Sequence, residues 1–310
     1  MAGAIECGAM TTADPNPAAA RRDLLIIRNP AAGQRRAGLY ARTLAALEGR
    51  GCRVTVRDTT GPGAAEALAR EAAQGGFDAV VVAGGDGTIG EAVNGLAGAA
   101  MPLGLIPLGT ANVLAAEIGW PVAADAIAAA LVAGPVRAVR FGRANGRAFT
   151  MMSEVGFNAH VVRNVDPGLK RIVGKAAYGW SAIRQFVAQR PVLYDVEADG
   201  QHYRAAAVVV AKGHYYGGRF VFAPDARIDA PSFELCLVEW PGRWNTLRYG
   251  AGLLFGFLPR MSGYRIETVS RVVIAGPAGE PVQCDGDDAT QLPVTIELDP
   301  ASLNLIVPGA

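Results

Sequence analysis

Three short stretches carry residues whose types and spacing could do chemistry. Residues 80–96 read VVVAGGDGTIGEAVNGL, an apolar run giving way to Gly84-Gly85-Asp86-Gly87-Thr88. Residues 108–112 read LGTAN after the run LGLIP, and Asn29-Pro30-Ala31-Ala32-Gly33 follows the run LLIIR. Glycines let a backbone turn tightly and approach a ligand with no side chain between. Free N–H groups at the start of a helix favour phosphate oxygens. Thr88 suits a helix N-cap or a direct phosphate donor. Asp86 is the discordant residue, since a carboxylate repels phosphate. It fits a phosphate site when Mg²⁺ or a water network accompanies it. An Asx turn or a helix cap is the alternative reading.

Such loops need a frame that sets them side by side. DLLIIRNP, CRVTVRDT, FDAVVVAGG and MPLGLIPLG read as strands, and amphipathic segments with glycine stops separate them. This β-α order predicts a doubly wound open sheet with right-handed crossovers, whose ligands bind beyond the carboxyl ends of the strands. The local pattern gives a strand over 80–83, a loop over 84–88 and a helix from Ile89. From about Arg137 the character changes. Short alternating runs separated by turn pairs such as Asn145-Gly146 and Asp199-Gly200 predict a mostly antiparallel β domain. Two helical segments interrupt it, LKRIVGKAAYGWSAIRQFVAQR and LRYGAGLLFGFLP.

Composition narrows the function. Of 310 residues, 51% are hydrophobic and 18% charged, which describes a well-cored globular chain. A net charge of +1 and 7% aromatics give no footing for nucleic acid. The four cysteines are scattered without CxxC spacing, so neither a zinc site nor a disulfide framework is expected. No apolar run is long enough to span a bilayer. The chain has three lysines, Lys170, Lys175 and Lys212, none in the first half, so a Walker-type phosphate lysine is excluded there. GxGxxG is absent from the first strand–helix unit, as are GxSxG and HExxH from the whole chain. The three histidines are far apart and read as structural or surface residues.

GGDGT followed by Glu91-x-x-Asn94-Gly95, and then PLGTAN at 107–112, resembles the catalytic domain of the diacylglycerol kinase and sphingosine kinase superfamily, and within it the bacterial soluble lipid kinases. GGDGT alone is shared with NAD kinases; its combination with PLGTAN is far more specific. SEVGFNA (153–159), GKAAY (174–178), YYGG with APDA (215–226) and CDGD (284–287) extend the likeness to nearly the whole chain.

The resemblance implies an α/β nucleotide domain followed by an antiparallel β-sandwich domain for the lipid, with the active site in the cleft between them. The expected division is a disordered leader over 1–21, the α/β domain over 22–136, the sandwich over 137–300, and a strand or tail over 301–310 that could return to the first domain. It implies ATP as donor with Mg²⁺, and a lipid hydroxyl at a membrane surface as acceptor. Asn29, Gly33, Gly84, Gly85, Asp86, Gly87, Thr88, Gly109, Thr110 and Asn112 would hold ATP and its metal, with Glu91 and Asn94 supporting the loop. Asp285 would deprotonate the acceptor, Asp86 and Asp287 assisting. Without the resemblance, Asp285-Gly286 reads as a turn pair.

Two departures stand out. The D-D-G stretch that serves a structural metal in many members is replaced by Asp229-Ala230-Pro231, so Asp229 alone remains for a second metal. The late D-G-E motif ends in Asp287, one methylene shorter. The implied location is cytoplasmic, peripheral to the inner face of the membrane, with a homodimer conceivable through a sandwich edge. An NAD kinase-like phosphotransferase and a non-catalytic nucleotide- or lipid-binding regulator are the rival readings. Residues 243–260, RWNTLRYGAGLLFGFLPR, suit either a core helix or one lying near acyl chains.

Overall fold

The computed structural model describes residues 20–32, 36–163 and 192–309. Strands β1 (Asp23–Arg28), β2 (Arg53–Asp58), β3 (Ala79–Gly84) and β4 (Leu103–Pro107) pair in parallel in the order β2-β1-β3-β4. Every residue of β3 and β4 is buried, as all-apolar strands require when helices cover both faces of a sheet. Helices α1 (Ala37–Gly49), α2 (Ala64–Ala72), α3 (Asp86–Leu96), α4 (Val113–Glu117) and α5 (Ala124–Ala133) fill and follow the connections. α2 packs on α3, and α1 on α5. Gly95 lets the first pair approach, since a Cβ there would lie 2.9 Å from that of Ala69.

The second half is built from β5 (Val136–Ala144), β6 (Arg147–Phe149), β7 (Met152–Val155), α6 (Phe157–Arg163), β8 (Tyr194–Ala198), β9 (Gln201–Ala205), β10 (Ala207–Ala211), β11 (Tyr215–Tyr216), β12 (Phe220–Val221), β13 (Phe233–Val238), α7 (Arg243–Leu254), β14 (Tyr264–Val269), β15 (Arg271–Ala275), β16 (Pro281–Cys284), β17 (Asp287–Gln291) and β18 (Val294–Ile306). Six strands form an antiparallel sheet in the order β14-β13-β10-β7-β16-β17. It packs on β18, β15 and β8 over a core that includes Phe149, Val155, Tyr194, Val210, Phe233 and Val272. The result is an antiparallel sandwich following a parallel α/β domain. On the outer face of the six-stranded sheet, Met152, Val209 and Ala211 lie under Tyr249 of α7.

The sheet does not stop at the domain boundary. β18 is 13 residues long and pairs antiparallel with β5 and β15, then runs parallel to β4 through Leu305 and Leu103. One ten-stranded sheet therefore passes through both domains. Side chains reinforce the junction. Asn94 of α3 exchanges hydrogen bonds with the backbone of Ala148, its Oδ1 accepting from the amide at 3.0 Å and its Nδ2 donating to the carbonyl at 3.3 Å. Arg147 pairs with Glu66 at 3.1 Å.

One element differs from expectation near the glycine loops. α3 starts at Asp86, three residues before Ile89, with extended Gly85 as its N-cap. An acidic residue in the first turn suits the helix dipole, and this extends the helix into the stretch that reads as loop.

Candidate active site

β1 and β3 flank the point where the strand order reverses, and their carboxyl ends, with that of β4, carry the three loops. Asn29 binds the first loop to the second. Its N–H donates to Ala83 O at 3.0 Å and its Nδ2 to Thr88 Oγ1 at 3.0 Å, while its Oδ1 accepts from Ala31 N–H at 3.0 Å. Gly84 O accepts from the amides of Leu108 and Gly109, at 2.9 and 3.2 Å, which joins the second loop to the third. The glycine backbones of these two loops touch: a Cβ on Gly109 would lie 2.5 Å from Gly85 Cα.

Asp86 closes this junction. Its Oδ1 accepts from Val113 N–H at 2.7 Å and its Oδ2 from Asn112 N–H at 2.8 Å. Asn112 itself is left-handed, at φ 51°, and its Nδ2 donates to Gly109 O at 2.8 Å. Asn112 Oδ1 is buried without a hydrogen-bond partner. Burial pushes the Asp86 carboxyl above the usual range, the amide of Val113 opposes this, the charge of Asp285 adds to it, and the amide of Asn112 opposes it again. Asp86 is thus a clamp between two loops. Among the described residues, no group of three or more His, Cys, Asp or Glu side chains is arranged to hold a metal. Thr88 is a buried first-turn residue facing Asn29, not the N-cap, because α3 begins earlier. Glu91 Oε2 accepts from Ala65 N–H at 3.1 Å, in the first turn of α2.

The second domain brings a hairpin to this edge. β16 and β17 are joined by the two-residue turn Asp285-Gly286, with φ of 51° and 90°. Positive φ at both positions suits Asp-Gly, so the turn reading and the site reading describe the same residues. The Asp285 carboxylate is held by four donors. Oδ2 accepts from Thr150 N–H at 2.7 Å and Thr150 Oγ1 at 3.0 Å, and Oδ1 from the amides of Met151 and Met152, each at 2.9 Å. Burial pushes this carboxyl above its usual range against the pull of those amides and the hydroxyl. Asp287 abuts the second loop: a Cβ on Gly87 would lie 2.5 Å from its Oδ2. The Asp285 carboxylate is thus fixed by residues 150–152, close enough to the second loop for its charge to act on Asp86.

Comparison with known proteins decides the family. Residues 23–144 match the diacylglycerol kinase catalytic domain, and residues 152–307 match the YegS C-terminal NAD kinase beta sandwich-like domain. The chain belongs to the diacylglycerol kinase catalytic-domain family. It is 32% identical over 221 residues to a diacylglycerol kinase of Bacillus subtilis, covering 69% of this chain and 73% of that one. It is 30% identical over 277 residues to a "Probable lipid kinase YegS-like" of Pseudomonas fluorescens, covering 86% and 90%. The crystal structure of a diacylglycerol kinase from Bacillus anthracis strain Sterne superposes with a TM-score of 0.74 at 26% identity, covering 93% and 97%. The family is one of kinases, which makes this chain a phosphotransferase-family member with ATP as the implied donor.

Not every residue carried over from the family pattern stands at this edge. Gly33 and the GKAAY segment lie outside the described residues. Thr110 stays at the edge, exposed beside Gly109, whereas Asn94 serves the domain junction. Asp229 is far from an open metal site. Its Oδ1 meets Arg227 Nε at 3.3 Å, and the carbonyls around it already serve an ammonium. Lys212, fully buried, donates from Nζ to the carbonyls of Arg227, Ala230 and Ser232 at 2.8, 2.6 and 3.4 Å. Burial pushes Lys212 down to about 8, with the charge of Asp229 opposing. A tethered cation fills this loop, and the residues present do not fit a divalent ion at Asp229.

Two further residues escape sequence reasoning. Arg36 Nη1 donates to Pro107 O at 2.9 Å, which sets a guanidinium beside the end of β4 in a half of the chain that lacks lysine. The run Gln34-Arg35-Arg36 after the first loop was the available signal. Glu117, at the end of α4, accepts from His214 Nδ1 at 2.9 Å and from the amides of His214 and Tyr215 at 3.3 Å each, latching the third loop's helix to the second domain. Nothing in its local sequence marks that role.

Proposed function

We propose that the chain transfers the γ-phosphate of ATP to the primary hydroxyl of a lipid, diacylglycerol-like or sphingoid in class, in the cleft between its two domains. The observation that carries this reading is the meeting of the Asp285 hairpin with the glycine loop after β3, where Asp287 abuts Gly87 and the charge of Asp285 acts on Asp86. In this reading the backbone of residues 84–88 and 108–112 and the N-terminus of α3 receive the phosphates. An Mg²⁺ ion bound with those phosphates would neutralise their charge, and one or two carboxylates would suffice to hold it. Asp287, against Gly87, would be one of them. Asp285 takes the acceptor's proton. Thr150 Oγ1 now donates to Asp285 Oδ2, and rotation of that hydroxyl would open a lone pair to the substrate alcohol.

A lipid acceptor is favoured by an apolar cavity of about 400 Å³ in the second domain, under α7 and against the outer face of the six-stranded sheet. Glu154 lies in its wall, on the same strand and face as Met152, whose amide holds Asp285. Its Oε2 accepts from Tyr216 OH and Gln283 Nε2, both at 2.9 Å. The test is to incubate the purified protein with labelled ATP, Mg²⁺ and either a mixed lipid extract or NAD, and to identify products by mass spectrometry. Phosphorylated lipid is the expected product. Label in NADP alone would overturn the reading, and ATP binding with no labelled product would favour a regulator.

A further inference from the structure

Hydrophobic side chains left in water are scattered singly on most protein surfaces, and a concentration of them marks a contact. Of the ten exposed large hydrophobic residues among the described residues, six gather on one feature of the second domain. Trp244, Leu247 and Leu254 lie on α7 at spacings of three and seven, which places them on one stripe. They are 77%, 52% and 61% exposed. The buried residues of the same helix, Tyr249 and Gly252, lie on the opposite side, so α7 is apolar on two faces. Phe255, 73% exposed, and Phe257 continue the outward stripe into the turn after the helix, and Phe220 of β12 faces it across a groove.

The groove, about 550 Å³, has Leu253, Leu254 and Pro224 in its walls and Arg219 and Arg260 at its margins, with no carboxylate among its lining residues. Between Glu239 and Glu267 the sequence contains no acidic residue and four arginines, Arg243, Arg248, Arg260 and Arg265, the last of which pairs with those two glutamates. No helix among the described residues is long and apolar enough to cross a membrane.

We propose that this face of α7 and the turn after it is a membrane-docking surface that seats on a bilayer carrying anionic phospholipids. Charge complementarity selects that occupant. Indole and phenyl rings and leucines partition into the boundary between headgroups and acyl chains, while guanidinium groups pair with lipid phosphates at the same depth. A protein partner would meet the same apolar stripe but would need acidic side chains matched to the arginines; a bilayer supplies both at once. α7 also roofs the apolar cavity under it, through Thr246, Tyr249, Gly250 and Leu253. Docking by its outer face therefore presents that cavity to the membrane, which deepens the lipid-kinase reading and rests on it only for its purpose.

The full chain is tested by co-sedimentation with vesicles of phosphatidylethanolamine and phosphatidylglycerol, and separately with phosphatidylcholine vesicles. The wild type should sediment about tenfold better with the anionic vesicles, with Trp244 emission shifting to the blue, a shift that Trp244→Phe removes. Leu254→Ser with Phe255→Ser should lower binding at least tenfold, and Arg219→Glu with Arg260→Glu should abolish the anionic preference. Both double variants should keep wild-type melting temperature and turnover on a short-chain, water-soluble acceptor. Wild-type sedimentation by both variants overturns the proposal, as does a dimer that the substitutions dissolve while vesicle binding persists. Vesicle binding that depends on these residues in a protein that phosphorylates no lipid would support the surface and sink the kinase reading.

Discussion

Gly109→Ala tests the contact on which the candidate nucleotide site depends. The new Cβ would lie 2.5 Å from Gly85 Cα and 2.8 Å from Asn112 Oδ1. Carbon atoms settle at about 3.5–4.0 Å from one another, so the loops after β3 and β4 must part by about 1 Å. Asp86 bridges the same gap, through bonds of 2.8 and 2.7 Å to the amides of Asn112 and Val113. Opening by that amount stretches both bonds past about 3.5 Å, where little of a hydrogen bond remains. Bonds to a charged group contribute about 1.5–3 kcal/mol each, so after partial relaxation the variant should lose about 3–5 kcal/mol of stability. Urea denaturation measures the loss, and the KM for ATP should rise if the two loops hold the nucleotide together. Gly90→Ala is the matched control, in the interior of α3 with nothing within 4 Å of its added Cβ; it should stabilise by about 0.5–1 kcal/mol through helix propensity. A Gly109→Ala protein within about 0.5 kcal/mol of wild type, with unchanged KM for ATP, would refute the clamp.

Three further outcomes follow from the geometry. Asp285→Asn should lower turnover by about 10²–10⁴, the usual contribution of a general base, with ATP binding retained; because an amide cannot accept from all four donors, urea denaturation should also show a loss of about 1–3 kcal/mol. Since the base must be deprotonated and burial pushes its carboxyl up, wild-type kcat should fall on the acid side with a midpoint above the ordinary aspartate value of about 3.9, and residual Asp285→Asn activity should lack that limb. Lys212→Met should cost about 3–5 kcal/mol in the same denaturation assay by stranding three carbonyls of residues 227–232; a loss under about 1 kcal/mol would show that the ammonium is not what holds that loop.

The α/β order of the first half was legible because β3 and β4 are uniformly apolar and each is followed by glycine. Those signals are local, acting within a turn or two of the residues that carry them. The antiparallel character of the second half was legible for the same reason, through turn pairs such as Asn145-Gly146. Boundaries were less legible. Gly87 and Thr88 weigh against a helix by propensity, yet α3 begins at Asp86, because packing against the rest of the domain outweighs a few tenths of a kcal/mol of propensity per residue.

The sequence by itself therefore determined the fold class, the family motifs and which strand ends carry glycine loops. Tertiary structure decided what each polar side chain does there. Asp86 spans 26 and 27 residues to reach the amides of Asn112 and Val113, and Asp285 spans 133 to 135 to reach Thr150, Met151 and Met152. Lys212 meets its carbonyls only because β10 and the loop before β13 converge, and β18 joins the two domains through a pairing with β4 that neither segment announces. A hydrogen bond is set by distance and angle after the chain has closed on itself, and residue types record only the capacity to make it.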